Sequence, residues 1–498
     1  MQSLRRRGEL TTNGPMFFLR TGSNAEKKIV EKTASMFSGV LLRANYFESA
    51  AGSLSVFLLK YAQGSNRKGY IIDPTTYVFA LSPHSAGSNN SQWSIRSWKR
   101  SIRESNARVL LRRDLRMDAA EPIQSDWIRP FIKDNRDMSP MVQYWGITSA
   151  YRKLADYYFD EPVAKQAGRR EILPPDLGWT PSGGAAESLT RFVVKTTQYQ
   201  LNAVRNALEG SGLPDLDGVR GPEFVLSPYF YISKPGELAF MSAVWSAFRH
   251  VYEGENGAAV LLVDKGFLSQ SLDEVVNALL ASGLKYVFFW IPALNEEHAQ
   301  KSSLYDMAEL VTRLGRQGVG TINLYAGGFS TALLQFGLQG IVNGPGYGMD
   351  RDVQPVKGGM PQAKYYLPQA HVREDINDTL EIVAGWPEAT TREGFLSTVC
   401  NCPICRDGIR HGWQDIVMYY GESVRARNGT SDRYVPSQRA LERCAFHFIF
   451  ARLMEYSRAC STDKVALIEL LRQDAKKCGG KADYVSTWAD LLQKYVSM

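Results

Sequence analysis

Short apolar segments alternate with amphipathic helical segments between residues 222 and 371, and this alternation restricts the fold more than any other feature of the chain. Strands that are joined through helices lie parallel in one sheet. Two earlier strand-like runs, Gly39–Tyr46 and Gly69–Asp73, bring the total close to eight. We therefore predict an α/β fold, with a (β/α)8 TIM-like barrel favoured over an open doubly wound sheet. The strand-like segments after residue 222 are Glu223–Pro228, Ala258–Asp264, Tyr286–Ile291, Thr321–Tyr325, Gly340–Asn343 and Lys364–Pro368.

A cluster of thiols near the C-terminus predicts a metal site. Cys400, Cys402 and Cys405 place three of the chain's six cysteines within one short segment. Soft sulfur ligands at this spacing converge on a tetrahedral ion, for which zinc is the favoured metal. A later helical segment is expected to supply the fourth ligand, and His447 is preferred. Cys444, on the same helix face, and His411 remain alternatives.

The rest of the chain divides around the barrel. Residues 1–105 are predicted to form its N-terminal part and residues 222–390 the remainder. Residues 106–221 become helical and polar and are interpreted as an inserted helical subdomain that carries part of a basic segment. Residues 391–498 are interpreted as a zinc-binding helical subdomain. No apolar run approaches the roughly 20 residues that cross a bilayer, no secretory signal is recognisable, and the cysteine usage predicts a cytoplasmic protein without a membrane partner.

The charge distribution points to a polyanionic partner. The formal net charge is +7, and cations crowd a stretch that also contains Trp93 and Trp98. Lysine and arginine bind phosphate backbones through counterion release, and tryptophans stack on unpaired bases. A solvated surface helix is the alternative for this stretch taken alone. The candidate nucleic-acid-binding residues are Arg96, Lys99, Arg100, Arg103, Arg112 and Arg113.

In a barrel of this kind, chemistry takes place at the carboxyl ends of the strands. Asp73 directly follows an apolar run, where partial burial suits a carboxylate to proton transfer. A turn aspartate before Pro74 is the alternative interpretation. The other strand-end candidates are Ser227, Asp264, Trp290, Gly327, Gly328, Asn343 and the loop of residues 344–352.

These residues together resemble the tRNA-guanine transglycosylase family, which exchanges guanine for a 7-deazaguanine in nucleic acid. The segment Tyr70–Phe79 is similar to the family's strand ending in Asp-Ser-Gly-Gly, whose aspartate is catalytic. Gly283–Pro292 falls where the family has its base-binding Gly-Gly-Leu strand. Asn323–Leu334 and Phe336–Val342 resemble the family's following strand, helix and strand. Arg452–Glu455, after the histidine, matches its C-terminal zinc helix.

The resemblance implies a structural zinc ion and a carboxylate nucleophile, and the sequence departs from the family in two places. Pro74, Thr75 and Thr76 replace Ser-Gly-Gly, and Asn343 stands near the position of the nucleophilic aspartate. Covalent base exchange needs a carboxylate that attacks the anomeric carbon. The candidates for that role, in order of preference, are Asp350, Asp352 and Asp264, and the tyrosines expected to sandwich the base are Tyr77, Tyr229 and Tyr347.

These departures, the basic segment and the helical insertion resemble the DpdA-type branch, which installs a 7-deazaguanine such as preQ0 in DNA and implies an ATPase-like partner protein. The expected function is therefore guanine exchange in DNA, with Asp73 handling protons on a base extruded from the helix. Two alternatives remain: a transglycosylase that acts on tRNA, and a non-catalytic zinc-containing nucleic-acid-binding subunit.

Overall fold

A computed structural model describes residues 15–21, 24–33, 37–63, 69–80, 149–159, 184–209, 221–345, 349, 353, 362–428 and 431–497. Eight parallel strands form a nearly closed barrel, which confirms the predicted α/β barrel. A bridge between Ile71 and Phe224 joins the two edge strands of the hydrogen-bonded order. The eight barrel strands are β1 (Met16–Thr21), β2 (Gly39–Arg43), β3 (Gly69–Asp73), β4 (Val225–Leu226), β6 (Gly257–Val263), β7 (Tyr286–Trp290), β8 (Gly320–Asn323) and β9 (Leu338–Asn343). A ninth, short strand, β5 (Tyr231–Ile232), also pairs with β6.

The barrel strands are apolar almost throughout because both of their faces are covered. Every residue of β1 and β6 is buried, and β9 has a single exposed position at Gln339. Parallel strands with helices outside and side chains inside show this near-continuous apolar pattern. The barrel interior is therefore a packed core, and the accessible chemistry lies at its ends.

Two strands differ from the sequence interpretation. The first barrel strand, β1, was not predicted, although it is fully buried between β2 and β9. The predicted strand at Lys364–Pro368 does form as β10 (Lys364–Leu367), but it pairs antiparallel with β11 (Val372–Asp375) outside the barrel. An apolar run indicates a strand without indicating which sheet it joins. The barrel thus has eight strands, as expected, but β1 takes the place that the sequence interpretation gave to Lys364–Pro368.

Helices cover the barrel and then build the C-terminal part of the chain. None of the helices in the described ranges is both long enough and apolar enough to span a membrane. The barrel helices are α1 (Asn24–Thr33), α2 (Ala44–Ser49), α3 (Ala51–Gln63), α4 (Ser149–Tyr158), α5 (Gly184–Glu209), α6 (Pro235–Val251), α7 (Lys265–Gln270), α8 (Leu272–Ala281), α9 (Lys301–Arg316) and α10 (Gly328–Leu333). The C-terminal elements are α11 (Ile376–Val383), α12 (Arg392–Thr398), α13 (Pro403–Gly408), α14 (Asp415–Tyr420), the hairpin β12 (Ser423–Asn428) and β13 (Ser431–Pro436), α15 (Gln438–Ser461), α16 (Lys464–Cys478) and α17 (Asp483–Leu492).

Candidate functional site

Four buried side chains converge near the C-terminus in a geometry that suits a metal ion. The ligand atoms of Cys400, Cys402, Cys405 and His447 all lie within 4.8 Å of one another. His447 Nδ1 is 3.3 Å from Cys402 Sγ, 3.4 Å from Cys405 Sγ and 3.9 Å from Cys400 Sγ. Tetrahedral coordination by sulfur and nitrogen separates ligand atoms by roughly 3.5 Å. The cluster can therefore bind a metal ion without a large rearrangement.

The local sequence explains how three thiols come together. Cys402 is the N-cap of α13, where Pro403 fits the first helical position and Cys402 Sγ accepts a hydrogen bond from the Cys405 amide at 3.4 Å. The Cys402 amide in turn donates to Cys400 Sγ at 3.5 Å. These two amide-to-sulfur contacts fold the segment into a tight turn that holds the cysteines together.

Neighbouring aromatic residues fix the fourth ligand. His447 Nε2 lies 2.7 Å from the Tyr366 carbonyl oxygen and must donate to it, so Nδ1 is the ring nitrogen that faces the sulfurs. The Tyr365 ring stacks on the imidazole with 4.1 Å between centroids. The Tyr365 and Tyr420 hydroxyls lie 3.3 Å and 3.1 Å from Cys405 Sγ. These contacts orient the ligands as the outer partners of a metal site do.

The electrostatics of the cluster favour positive charge. Burial opposes protonation of His447, but the Cys405 and Cys402 sulfurs outweigh it and raise the pKa of the imidazole to about 10. Burial also opposes ionisation of Cys405, yet the neighbouring thiols and His447 hold its pKa well below the usual range. A buried sulfur set that stabilises a cation is what a divalent metal requires.

The two alternative fourth ligands do not join this cluster. Burial raises the pKa of the Cys444 thiol to about 12, and its sulfur lies 3.8 Å from the Tyr420 carbonyl oxygen. The His411 side chain is 84% exposed and contacts Asp415 at the surface. His447 therefore completes the set, as the sequence interpretation preferred.

At the barrel mouth, Asp73 ends β3 and is buried, with 5% of its surface exposed. Its Oδ1 accepts hydrogen bonds from the Thr75 amide at 2.9 Å and from the Tyr229 hydroxyl at 2.7 Å. Thr75 adopts a φ of 51°, a left-handed conformation that favours glycine and is strained for a β-branched residue. Strain of this kind concentrates at functional sites, where the surrounding structure enforces it.

A one-residue bulge brings Tyr229 to Asp73. Leu226 of β4 pairs with Ala258 of β6, and Tyr231 of β5 pairs with Leu262 of β6. The chain thus advances five residues from β4 to β5 while β6 advances four. The extra residue lies between β4 and β5 and redirects the side chains there, as bulges beside active sites do. Burial and the Asp73 charge hold the pKa of Tyr229 well above its usual value, so its phenol stays protonated and donates to the carboxylate.

Aromatic rings surround Asp73 on one side. Tyr77 stacks on Tyr229 with 5.4 Å between ring centroids and meets Trp290 edge-on at 5.2 Å. Trp290 contacts Tyr325 at 4.7 Å, and the Arg20 guanidinium lies 3.9 Å from the centre of the Tyr325 ring. These residues come from the carboxyl ends of β1, β7 and β8, from the segment after β3 and from the segment between β4 and β5. Two of the three predicted base-sandwiching tyrosines, Tyr77 and Tyr229, thus stack directly on each other with no base between them, and their binding role stays a prediction.

Two other predicted strand-end residues have structural partners. Ser227 Oγ accepts a hydrogen bond from the Val260 amide at 3.0 Å. Asp264 is the N-cap of α7, where Oδ1 accepts from the amides of Gly266 and Phe267, and Oδ2 accepts from the Tyr231 hydroxyl at 2.8 Å. Asp264 therefore lies at the carboxyl end of β6, whereas Ser227 lies against the middle of that strand, and their catalytic or binding roles remain predictions.

The remaining strand-end candidates meet a buried charge network that the sequence interpretation missed. Arg452 Nη2 donates to the Gly327 carbonyl at 2.9 Å and lies 3.5 Å from Asn343 Oδ1. A side chain on Gly328 would place Cβ 2.6 Å from the Cβ of His371, so close packing explains this glycine. The only sequence signal for the network is the pair of charged residues, Arg452 and Glu455, within an otherwise apolar stretch of α15.

Some predicted residues lie outside the part of the chain that the structure describes. They are Arg96, Lys99, Arg100, Arg103, Arg112, Arg113, Tyr347, Asp350 and Asp352. Their proposed roles therefore remain predictions from the sequence.

Searches of protein-family models, curated proteins and solved structures find no match to this chain. What the protein does must accordingly be inferred from its own residues.

Proposed function

We propose that the protein is a guanine transglycosylase that exchanges guanine in DNA for a 7-deazaguanine base such as preQ0. The observation that carries this proposal is the buried carboxylate of Asp73 at the carboxyl end of the third barrel strand, beside stacked Tyr77 and Tyr229. Thr75 supports it further, because it occupies the first glycine position of the family's Asp-Ser-Gly-Gly segment and keeps a φ of 51°. The backbone that glycine would favour is thus retained although the glycine is replaced.

The proposed reaction needs two acidic functions. One carboxylate attacks C1′ of the target deoxyribose, the C1′–N9 bond breaks, and the leaving guanine takes a proton at N9. The 7-deazaguanine then loses its N9 proton, attacks C1′ and releases the carboxylate. Asp73, which is positioned by Tyr229, is assigned to proton handling and base contact. The nucleophile is assigned to Asp350, with Asp352 and then Asp264 as the next candidates.

We assign the metal as zinc with a structural role. Three thiolates and an imidazole form the donor set that structural zinc sites use, with all positions taken by protein ligands. When bound, zinc holds the cysteine segment against α15 and supplies no chemistry to the exchange. The Cys400, Cys402, Cys405 and His447 side chains would provide its four ligands.

The substrate assignment follows from charge and from the family resemblance. The net charge of +7 favours a polyanion, and an extruded guanine would enter between aromatic side chains at the barrel mouth. We propose duplex DNA as the polyanion, with an ATPase-like protein as a further partner. The exchange of a base in tRNA and nucleic-acid binding without catalysis are the competing assignments.

Nucleoside mass spectrometry tests the proposal. Purified protein is incubated with preQ0 and either duplex DNA or tRNA, and a deazaguanine deoxynucleoside from DNA alone is expected. Asp73→Asn should abolish this product while metal content and DNA affinity stay unchanged. Asp463→Asn is the matched control, because Asp463 only caps α16 and asparagine caps equally well. Product from tRNA alone would move the substrate to RNA, and no product with either would favour the non-catalytic nucleic-acid-binding subunit.

A further inference from the structure

Arg452 connects the metal-binding part of the chain to the barrel. It is fully buried on α15, and its two terminal nitrogens reach in different directions. Nη1 donates to Glu455 at 2.7 Å and to the Tyr366 hydroxyl at 3.2 Å. Nη2 donates to Thr331 Oγ1 at 2.7 Å and to the Gly327 carbonyl at 2.9 Å. The planar, rigid guanidinium therefore holds the partners of Nη1 and the partners of Nη2 in one fixed geometry.

The groups on the Nη1 side also touch the metal centre. Tyr366, whose hydroxyl meets Arg452, offers its carbonyl oxygen to His447 Nε2 at 2.7 Å. The Tyr366 hydroxyl donates to Glu455 at 2.5 Å. Tyr366 therefore contacts a metal ligand through its backbone and Arg452 through its side chain.

The groups on the Nη2 side lie at the carboxyl ends of two barrel strands. Gly327 is the N-cap of α10, the helix that follows β8, and Thr331 lies within this helix. Asn343 is the last residue of β9. Asn343 Nδ2 also donates to the Ala326 carbonyl at 2.7 Å, which ties the two strand ends together.

We propose that Arg452 is a positioning residue that couples metal binding at the Cys3His cluster to the strand ends of β8 and β9. Metal binding fixes His447 and Tyr366, Tyr366 and Glu455 fix the guanidinium, and the guanidinium fixes Gly327, Thr331 and Asn343. The significance for catalysis, namely placement of the substrate-binding candidates Gly327 and Asn343, rests on the proposed function. The coupling itself does not require that any reaction occurs.

Coupling between two sites is reciprocal, and this gives a test that needs no activity. If metal binding stabilises the contacts of Thr331, then removing those contacts must weaken metal binding. Thr331→Val keeps the side-chain shape and deletes the acceptor for Arg452. Thr312→Val is the matched control, because the Thr312 hydroxyl bonds only to carbonyls of its own helix, α9.

The experiment measures the Zn²⁺ affinity of the full-length protein by competition with a chromogenic chelator under conditions where every variant is folded. Thr331→Val should weaken Zn²⁺ binding at least about 5-fold relative to wild type, the lower end of typical coupling. Thr312→Val should leave it unchanged. Equal affinities in the two variants would overturn the proposal.

Tyr366→Phe provides a second, independent arm. It removes the hydroxyl that meets Arg452 but retains the carbonyl that accepts from His447. We expect a similar loss of Zn²⁺ affinity, and a double variant with Thr331→Val should lose less than the product of the two single effects, because both act through one guanidinium. Independent, multiplicative losses would show that Arg452 does not connect the two sides. A negative result in nucleoside mass spectrometry would reject the proposed function and leave this outcome unaffected.

Discussion

Glu455→Gln should destabilise the protein strongly because Glu455 neutralises a buried cation. The Glu455 side chain is 4% exposed, its Oε2 lies 2.7 Å from Arg452 Nη1, and its Oε1 bonds to His371 Nδ1. Burial alone would raise the pKa of this carboxyl. The His371 and Arg452 charges outweigh that effect and lower it from 4.5 to about 2.

The magnitude follows from this shift. Lowering the pKa of Glu455 from 4.5 to about 2 corresponds, at about 1.4 kcal/mol per pH unit, to roughly 3 kcal/mol of stabilisation of the folded state. Because the folded-state pKa is depressed, this stabilisation is fully present above pH 4.5 and is lost as the pH falls from 4.5 towards 2. Loss of one partner from a buried ion pair costs roughly 3–5 kcal/mol, which agrees with this figure.

Urea unfolding followed by tryptophan fluorescence measures the effect. At pH 7, Glu455→Gln should lower the free energy of unfolding by about 3 kcal/mol. Below pH 4.5 the difference from wild type should shrink, because this carboxyl takes up a proton in the unfolded wild-type protein while it stays ionised in the folded one until the pH approaches 2.

Glu422→Gln is the matched control for this substitution. Glu422 also pairs with an arginine, Arg443, at 2.8 Å, but its side chain is 36% exposed. Its loss should change the free energy of unfolding by less than about 1 kcal/mol. Equal effects of Glu455→Gln and Glu422→Gln, or a difference between wild type and Glu455→Gln that is independent of pH, would refute the assignment of Glu455 as the counter-charge.

Three further predictions concern close packing, the choice of nucleophile and metal content. Gly328→Ala should destabilise by roughly 1–3 kcal/mol in thermal unfolding, because its Cβ would lie 2.8 Å from Trp488, whereas Gly236→Ala meets no atom within 4 Å and should be neutral or slightly stabilising. Asp264→Asn should keep both its helix cap and base exchange, and loss of exchange with unchanged stability would make Asp264 the nucleophile. His447→Ala should lower the metal content, measured by elemental analysis, from one ion per chain to near zero.

The barrel was predictable because its strands carry a local signal. β6 and β7 are short apolar runs bounded by turns, and the sequence alone indicates them. β1 carries a weaker signal, because only its first four residues, Met16 to Leu19, are apolar and they are followed by Arg20 and Thr21. Lys364–Leu367 has strand character too, and only its pairing with Val372–Asp375 excludes it from the barrel.

The metal cluster and the charge network differ in how far apart their residues lie. The spacing of Cys400, Cys402 and Cys405 fits within one turn, so the sequence predicts their convergence. Arg452 and Thr331, by contrast, are separated by 121 residues, and their contact depends on how α15 packs against α10. Single-sequence patterns encode the first kind of site and not the second.

The contacts between the barrel and the C-terminal helices lead to a prediction about cooperativity. Besides the Arg452 network, Trp488 Nε1 donates to the Glu296 carbonyl at 3.1 Å and the Tyr495 hydroxyl donates to Glu309 at 2.7 Å. Both bonds join α17 and the segment after it to the barrel, and buried contacts of this kind make adjoining parts unfold together. Urea unfolding followed by tryptophan fluorescence and by release of Zn²⁺ to a chromogenic chelator should therefore give coincident midpoints. Release of Zn²⁺ at a clearly lower urea concentration would show that the metal-binding part opens by itself, and the anchoring role of these contacts would then be wrong.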